Sequence, residues 1–241
     1  MLIHQKVSSK HLELETDLYI IRPEVVKEEE VSILYLLHGY WGDYSNWIRY
    51  TRIEKYVADK NMIVVMPSGL NMFYVDADSW YSYFKYLTEE LPAIIKETYR
   101  LNIERENTFI AGLSMGGYGA MRAILSTDIY SKGASFSGAL DVFKLQSSVY
   151  DKRKGPFKTL FSDKFKKEDD LYHLLTLQKD KDISLYVSCG TEDVLLPHNR
   201  GFHELLKQKK IKHVYYEKPG NHTWDFWDQE IKEALKFFLE K

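Results

Sequence analysis

The chain has 241 residues, of which 44% are hydrophobic and 28% charged, as expected for one large α/β domain with a well-buried core. Its 33 basic and 35 acidic residues leave a formal net charge of −2, so the composition gives no reason to expect nucleic-acid binding. The single cysteine, Cys189, excludes an internal disulfide. No apolar stretch approaches the ~20 residues of a spanning helix, and the N-terminus lacks the apolar core of a signal peptide. We therefore expect a cytoplasmic protein.

Short apolar runs predict the strands of a central sheet. "HLELETDLYIIRP" alternates polar and apolar residues, which predicts an antiparallel edge strand near the start of the chain. Most of the six later runs are nearly continuously apolar, as in strands buried on both faces of a parallel sheet. These runs are "VSILYLLHG", "NMIVVMPSG", "NTFIAGLS", "SKGASFSG", "ISLYVSCG" and "KHVYYEKPG".

Helical spacing of apolar residues separates these strands. It predicts helices over 46–60 and 115–125, around Phe202, and from Trp224 to the C-terminus. "YLTEELPAIIKETYR" is also helical in pattern, and Pro92 should either kink this helix or lie in its first turn. Strand–helix alternation of this kind predicts a mostly parallel sheet with helices on both faces, formed by residues 1–241 as a single domain.

Residues 141–182 interrupt this alternation. They are charged and irregular, with one short helical pattern in "DDLYHLLTL". We expect a small cap-like excursion from the sheet here rather than a second domain.

The stretch "FIAGLSMGGYGAMRAILST" carries the pattern G-x-S-x-G around Ser114. A buried strand precedes the serine and a helix rich in small residues follows it, which is the context that this motif requires. Glycines two residues before and after Ser114 remove side chains that would collide in such a sharp turn. We expect Ser114 to be a nucleophile at the C-terminal edge of the sheet. The alternative is a glycine-rich turn that binds phosphate, although the spacing of a Rossmann or P-loop motif is absent.

A serine hydroxyl is a poor nucleophile until a base accepts its proton. Among the eight histidines, His222 lies between the strand "HVYYEKPG" and the final helix, in a loop at the sheet edge where such folds place their sites. His173 and His198 are expected at the surface, and His38 is expected to be a structural residue. The sequence therefore predicts His222 as the general base.

A third residue should orient the imidazole and stabilise its charged form. Asp193 follows the second-last strand, and the resulting chain order Ser, Asp, His is that of α/β-hydrolases. Glu192 is an adjacent competitor. Asp141 is the stronger competitor, because it also follows a strand, although it is equally well explained as a turn residue.

An oxyanion intermediate needs hydrogen-bond donors that are already in place. The backbone N–H of Met115, at the start of the helix, is one candidate donor. The loop "HGYWGD" follows a strand and contains two glycines, and we expect the second donor to be the N–H of Tyr40. Aromatic residues from two loops could line a pocket at this edge, namely Tyr40, Trp41, Phe73, Tyr74, Trp80 and Tyr81.

Seven motifs occur in order along the chain: "YLLHGYWGDYSNW", "MIVVMPSG", "YLTEELP", "TFIAGLSMGGYGAM", "ASFSGALD", "GTEDVL" and "GNHTWDFW". In these motifs the chain resembles the esterase D-type serine esterases of the α/β-hydrolase superfamily, above all the short bacterial branch that includes tributyrin esterases. The resemblance covers nearly the whole chain. It implies Ser114 as nucleophile, His222 as base, Asp193 as orienting acid, and the N–H groups of Tyr40 and Met115 as the oxyanion hole.

The resemblance also implies a serine carboxylesterase for short-chain or aryl esters, with no cofactor and no metal. Tyr40 and Trp41 are bulkier than the residues usual at their positions in this family, and the chain is shorter than typical S-formylglutathione hydrolases. The same site would also suit an S-formylglutathione-type thioesterase, a feruloyl or acetylxylan esterase, or an acyltransferase. A non-catalytic binding protein of this fold would be expected to lack a triad residue. The expected partner is a small-molecule ester, and a homo-oligomer is possible.

Overall fold

A computed structural model of the chain describes residues 1–27, 30–77, 81–142, 144–145, 160–161, 166–178 and 182–240. Eight strands form one sheet in the order β1-β2-β4-β3-β5-β6-β7-β8. β1 and β2 are antiparallel, β2 and β4 are antiparallel, and the strands from β4 to β8 pair in parallel. The strands are β1 Leu2–Ser9, β2 Leu14–Ile21, β3 Ser32–Leu37, β4 Met62–Pro67, β5 Thr108–Leu113, β6 Lys132–Phe136, β7 Ser184–Gly190 and β8 His213–Lys218.

The helices cover both faces of this sheet. α3 consists of three consecutive segments, Tyr83–Lys85, the π-helical Tyr86–Glu90, and Leu91–Tyr99. Short 3₁₀ turns lie at Arg105–Asn107 and Lys167–Asp169. The other helices are α1 Asn46–Tyr50, α2 Ile53–Val57, α4 Met115–Ser126, α5 Leu171–Leu177, α6 Leu196–Gln208 and α7 Trp224–Leu239.

Alternate residues of the central strands pack into two separate cores. On β5, Ile110 joins the core beneath α3, α4, α5 and α6, whereas Phe109 and Ala111 join the core beneath α1, α2 and α7. All six residues of β5 are buried. The continuous apolar runs in the sequence thus reflect strands that are covered by helices on both faces, as predicted.

The N-terminal edge differs from the prediction. The edge strand is β1, which the sequence did not reveal, and the strand expected at the edge is β2, which lies between β1 and β4. Exposed residues of β1 alternate with partly or fully buried ones, but two of the four inward positions are the polar residues Gln5 and Ser9, so the sequence shows no clear apolar alternation. Its pairing with β2, from Leu2 opposite Ile21 to Ser9 opposite Leu14, defines it instead.

One helix prediction needs correction, whereas the prediction for Pro92 is confirmed, since Pro92 lies in the first turn of the segment Leu91–Tyr99. The helix expected over 46–60 is interrupted at Thr51, where the Thr51 hydroxyl bonds to the carbonyl oxygen of Trp47, and at Arg52, whose N–H donates to Asp228. Pro92 lies just after the π-helical turn of α3, where the N–H of Leu91 reaches back to the carbonyl oxygen of Tyr86. This wider turn accommodates the proline ring, which would clash with the carbonyl of an ordinary preceding turn.

The excursion predicted over 141–182 is described only in part. The short helix expected in "DDLYHLLTL" is α5, which packs against α4 and α6. Residues 143, 146–159, 162–165 and 179–181 lie outside the described residues. Within the described ranges, no helix has the length and apolar character that a membrane-spanning helix requires.

Candidate active site

Ser114 lies in the turn between β5 and α4 with φ 51° and ψ −115°. A Cβ atom at Gly112 would lie 2.3 Å from the carbonyl oxygen of Gly116, and one at Gly116 would lie 2.5 Å from that of Leu37. Only glycine fits at these two positions. The N–H of Ser114 donates to the carbonyl oxygen of Phe136 at 2.9 Å, which fixes the turn against the end of β6. The surrounding contacts thus hold Ser114 in a backbone conformation that costs about 1–3 kcal/mol.

Ser114, His222 and Asp193 form one hydrogen-bonded chain of side chains. His222 follows β8, and its Nε2 lies 3.0 Å from Ser114 Oγ. Its Nδ1 lies 2.8 Å from Asp193 Oδ2. The side chain of Asp193 is completely buried, whereas that of His222 is 31% exposed. An ionised Asp193 accepts a hydrogen bond from Nδ1–H of His222, which leaves the lone pair of Nε2 free to accept the proton of the serine hydroxyl.

The surroundings of Asp193 favour its charged form. Burial by itself raises the pKa of this carboxyl group, but hydrogen bonds from His222 and from the N–H of Leu195 outweigh burial and hold the pKa below its ordinary value. The Leu195 N–H donates to Oδ1 at 2.8 Å. The surroundings therefore stabilise Asp193 as a carboxylate.

The two alternative acids bind other partners. Asp141 accepts a hydrogen bond from the N–H of Lys144 at 3.0 Å and forms an ion pair with the Lys144 ammonium group at 2.9 Å. Glu192 accepts the N–H of Gly220 at 2.6 Å and the hydroxyl of Thr191 at 2.8 Å. Asp141 thus stabilises a turn, and Glu192 anchors the backbone of the loop that carries His222.

The loop after β3 approaches the nucleophile closely. A Cβ atom at Gly39 would lie 3.5 Å from the Cβ atom of Ser114, so the backbone next to Tyr40 packs directly against the turn. Met115 is the first residue of α4, where backbone N–H groups have no acceptor within the helix. Both predicted oxyanion-hole residues therefore flank Ser114.

His38 fixes the start of this loop. Its Nδ1 lies 2.7 Å from the carbonyl oxygen of Gly39, and its Nε2 accepts the N–H of Gly69 at 2.6 Å. Burial lowers the pKa of His38 to about 4, despite opposing effects of the Gly39 carbonyl and Asp43. His38 is therefore a neutral structural residue, in agreement with the sequence prediction.

An open cleft of about 640 Å³ contains Ser114 and His222. Trp41 is 76% exposed at this cleft, and its N–H donates to Asn71 Oδ1 at 2.7 Å. Of the other aromatic residues expected at this edge, Phe73 and Tyr74 are buried and Trp80 lies outside the described residues. Aromatic side chains that line the cleft are Tyr40, Trp41, Tyr50, Trp224 and Trp227.

Two neighbours of the site were not predicted from the sequence. Trp227 on α7 packs edge-on against His222, with ring centroids 4.9 Å apart and planes at 90°. Its indole N–H donates to the hydroxyl oxygen of Ser137 at 3.1 Å. The only sequence signal for Trp227 was its place on the buried face of the last helix, and Ser137 appeared only as a residue of the strand-ending "SFSG".

Comparison with known proteins settles the family. The Esterase family model matches residues 9–238. The chain belongs to the Esterase family. An acetyl esterase from Caldicellulosiruptor saccharolyticus is 34% identical to this esterase over 225 residues, which cover 88% of this chain and 85% of the relative.

Solved structures show the same architecture. FphF, a fluorophosphonate-binding serine hydrolase from Staphylococcus aureus, matches 100% of this esterase with 99% of its own chain, a TM-score of 0.90 and 26% identity. The S-formylglutathione hydrolase FrmB from the same organism also aligns over 100% of this esterase and 99% of its own chain, with a TM-score of 0.89 and 27% identity. The esterase has the α/β-hydrolase fold and is a serine carboxylic ester hydrolase.

Three other histidines lie outside the hydrogen-bonded series Asp193–His222–Ser114. His198, expected at the surface, is instead 6% exposed near the start of α6, and burial lowers its pKa. His203 and His213 bond to each other, with Nδ1 of the first 2.9 Å from Nε2 of the second. In the part of the chain that the structure describes, no group of three or more His, Cys, Asp or Glu residues could hold a metal ion.

Proposed function

We propose that this esterase hydrolyses short-chain or aryl carboxylic esters through an acyl-enzyme on Ser114, with His222 as general base and Asp193 as orienting acid. The hydrogen-bonded chain from Asp193 through His222 to Ser114 carries this proposal, because it gives the hydroxyl a proton acceptor and gives that acceptor a fixed tautomer. The same chain ends in an open cleft that an ester can enter.

In the first half-reaction, Ser114 Oγ attacks the carbonyl carbon of the ester while its proton moves to Nε2 of His222. The carbonyl oxygen becomes an oxyanion, which the N–H groups of Tyr40 and Met115 stabilise. The C–O bond to the alcohol then breaks, and His222 returns its proton to the leaving oxygen. In the second half-reaction, water attacks the acyl-enzyme with His222 again as base, which releases the acid and restores Ser114.

The aromatic lining of the cleft supports an ester whose alcohol contains an aromatic ring. Because His222 must protonate the leaving oxygen, the alcohol lies on the side of the cleft next to Trp224, the second residue after His222 in the chain. The ring of Tyr50 lies 5.1 Å from that of Trp224, at 30°. Aromatic faces of this kind suit a ring in the alcohol. The similarity to an acetyl esterase makes acetyl the first acyl group to test.

A substrate panel tests this function. We expect 4-nitrophenyl acetate and butyrate to give kcat/KM values at least about tenfold above the octanoate, since a CH₂ group too many costs about 1–3 kcal/mol in a pocket without room for it. Ser114→Ala should abolish all of these activities and leave the circular dichroism spectrum unchanged. Full turnover by Ser114→Ala would refute the proposed mechanism, and preference for the octanoate would refute the substrate class.

A second candidate is hydrolysis of S-formylglutathione. The observation that favours it is the similarity to FrmB over 100% of the chain. The two candidates use the same acyl-enzyme and differ in the leaving group, a thiol in place of an alcohol. A kcat/KM for S-formylglutathione well above that for every oxygen ester in the panel would select the thioesterase.

A further inference from the structure

Ser137 occupies a position that a serine rarely adopts. It follows β6, is completely buried, and has a φ of 48°. The left-handed region is unfavourable for residues other than glycine. The turn is nevertheless fixed on both sides, because the N–H of Ser137 donates to the carbonyl oxygen of Ser188 at 2.8 Å and that of Ala139 donates to Ser114 at 3.0 Å. A non-glycine residue retained under strain beside an active site calls for a role of its side chain.

The side chain lies between two elements that contact His222. Its oxygen accepts the indole N–H of Trp227, and the Trp227 ring packs edge-on against His222. The hydroxyl proton is therefore available to a second partner. Hydrogen bonding by Ser137 lowers the pKa of two groups, the carboxyl of Asp193 and the thiol of Cys189, as expected of a hydroxyl that donates to their charged forms.

The carboxylate is the stronger of these two acceptors. Burial raises the pKa of Cys189, so its thiol stays uncharged, whereas Asp193 is ionised. A hydrogen bond donated to an anion is about twice as strong as one between neutral groups. The Ser137 proton should therefore point to Asp193.

We propose that Ser137 is a positioning residue, which donates to Asp193 and accepts from Trp227 and thereby holds both the carboxylate and the indole that fix the His222 ring. The inference rests on the proposed function of Ser114, His222 and Asp193. It adds a third donor to Asp193, next to Nδ1 of His222 and the N–H of Leu195.

This role predicts how the pH profile responds. Each donor to Asp193 withdraws part of the negative charge that stabilises protonated His222, so loss of the Ser137 donor should make His222 protonate at a higher pH. Titratable groups near Asp193 include its chain neighbour Glu192, which accepts the Gly220 N–H, as well as Cys189, at the end of β7, and His198, near the start of α6. Burial raises the pKa of Cys189 and lowers that of His198, so burial favours the uncharged form of both groups. Beyond His198 lie the charges of Asp141 and Lys144, which are paired with each other.

The test compares Ser137→Ala and Ser137→Gly with Ser135→Ala. Ser135 is an equally buried serine two residues earlier, and its hydroxyl has no hydrogen-bond partner among the residues that the structure describes. Glycine relieves the strained φ, so Ser137→Gly keeps the test valid even where alanine destabilises the fold. We expect both Ser137 variants to lose about 10- to 100-fold in kcat on an acetyl ester, the loss expected for one hydrogen bond to a charged group. Their acid limb should move to higher pH by about half a unit or more.

Ser135→Ala should retain wild-type kcat and the wild-type pH profile. If both Ser137 variants stay within about twofold of Ser135→Ala at every pH, or lose activity with an unmoved acid limb, Ser137 has no positioning role. Ser114→Ala separates this failure from failure of the proposed function. An inactive Ser114→Ala beside fully active Ser137 variants removes only the present inference, whereas an active Ser114→Ala removes the triad itself.

Discussion

The two aspartates that follow neighbouring strands have different partners. Asp193 bonds to His222 Nδ1, whereas Asp141 bonds to the backbone and side chain of Lys144. Asp193→Asn should lower kcat by about 10⁴, because the amide holds the imidazole in the wrong tautomer and leaves its cation unsupported. Asp141→Asn should cost tenfold or less. Steady-state kinetics on 4-nitrophenyl acetate measure both.

Asp141→Asn is the matched control for that change, since it likewise replaces one carboxylate oxygen of a buried aspartate by an amide nitrogen. Circular dichroism and thermal melts establish that both variants are folded. The reverse ranking of two folded variants would make Asp141 the orienting acid and would overturn the role proposed for Asp193.

At the scale of elements, α4 carries Ser114 at its N-terminal end. Farther along this helix, Arg122 anchors α4 to the excursion over residues 141–182. The guanidinium of Arg122 pairs with Asp169 at 2.6 Å, and both side chains are about 95% buried or more. Arg122 also donates to the carbonyl oxygen of Tyr74 at 3.1 Å and lies 3.7 Å from the centre of the Phe84 ring. Burial raises the pKa of Asp169, although Arg122 opposes this effect.

Arg122→Met should therefore lower the free energy of unfolding by about 3–5 kcal/mol, because it leaves a buried carboxylate without its cation. Adding Asp169→Asn should restore part of that loss, since no charge then remains buried. Urea denaturation measures both variants. Lys236→Met is the control, because the Lys236–Glu233 pair is largely exposed and its loss should change stability by no more than about 0.5 kcal/mol. An equal effect of Arg122→Met and Lys236→Met would contradict the anchoring role.

The elements that the sequence predicted are those that its local pattern determines. The strand before Ser114 and the helix after it were predictable because buried runs and paired glycines mark the turn that joins them. β1 was not predictable, because polar residues occupy two of the four inward positions of Leu2–Ser9, and the strand is defined by its pairing with β2.

The residues of the site also divide into those that a local pattern predicts and those that only tertiary contacts bring together. Ser114, Asp193 and His222 were predicted because each follows a strand at one edge of the sheet, so that topology brings them together. Their hydrogen-bonded arrangement agrees with that expectation. Ser137 and Trp227 are 90 positions apart in the sequence and come into contact only in the folded chain, so no sequence spacing predicts their hydrogen bond.

For the whole molecule, His38 links stability to pH. Its pKa falls from an ordinary value of 6.5 to about 4 in the folded protein, so the unfolded chain binds a proton at His38 between these values and the folded chain does not. This contribution to stability is present above about pH 6.5 and is lost as the pH falls to about 4. Between pH 7.5 and pH 5 the loss should be about 2 kcal/mol.

His38→Gln removes this titrating group and keeps one donor and one acceptor. The free energy of unfolding of this variant, measured in urea at pH 7.5 and pH 5, should therefore fall by about 2 kcal/mol less than that of the wild type. The comparison cancels the contributions of all other titrating groups. An equal fall in both proteins would mean that His38 is protonated in the folded state as readily as in the unfolded chain.

The central claim is that Ser114 carries the acyl group during turnover, and trapping that intermediate tests it most directly. The esterase is mixed with 4-nitrophenyl acetate, quenched in acid within the first turnovers, digested and analysed by mass spectrometry, with Ser114→Ala treated in parallel. We expect a single acetylated peptide, modified at Ser114, that is absent from the variant and disappears as the substrate is exhausted. Acetylation at another residue that forms and decays at the rate of turnover, or full turnover by Ser114→Ala, would contradict it.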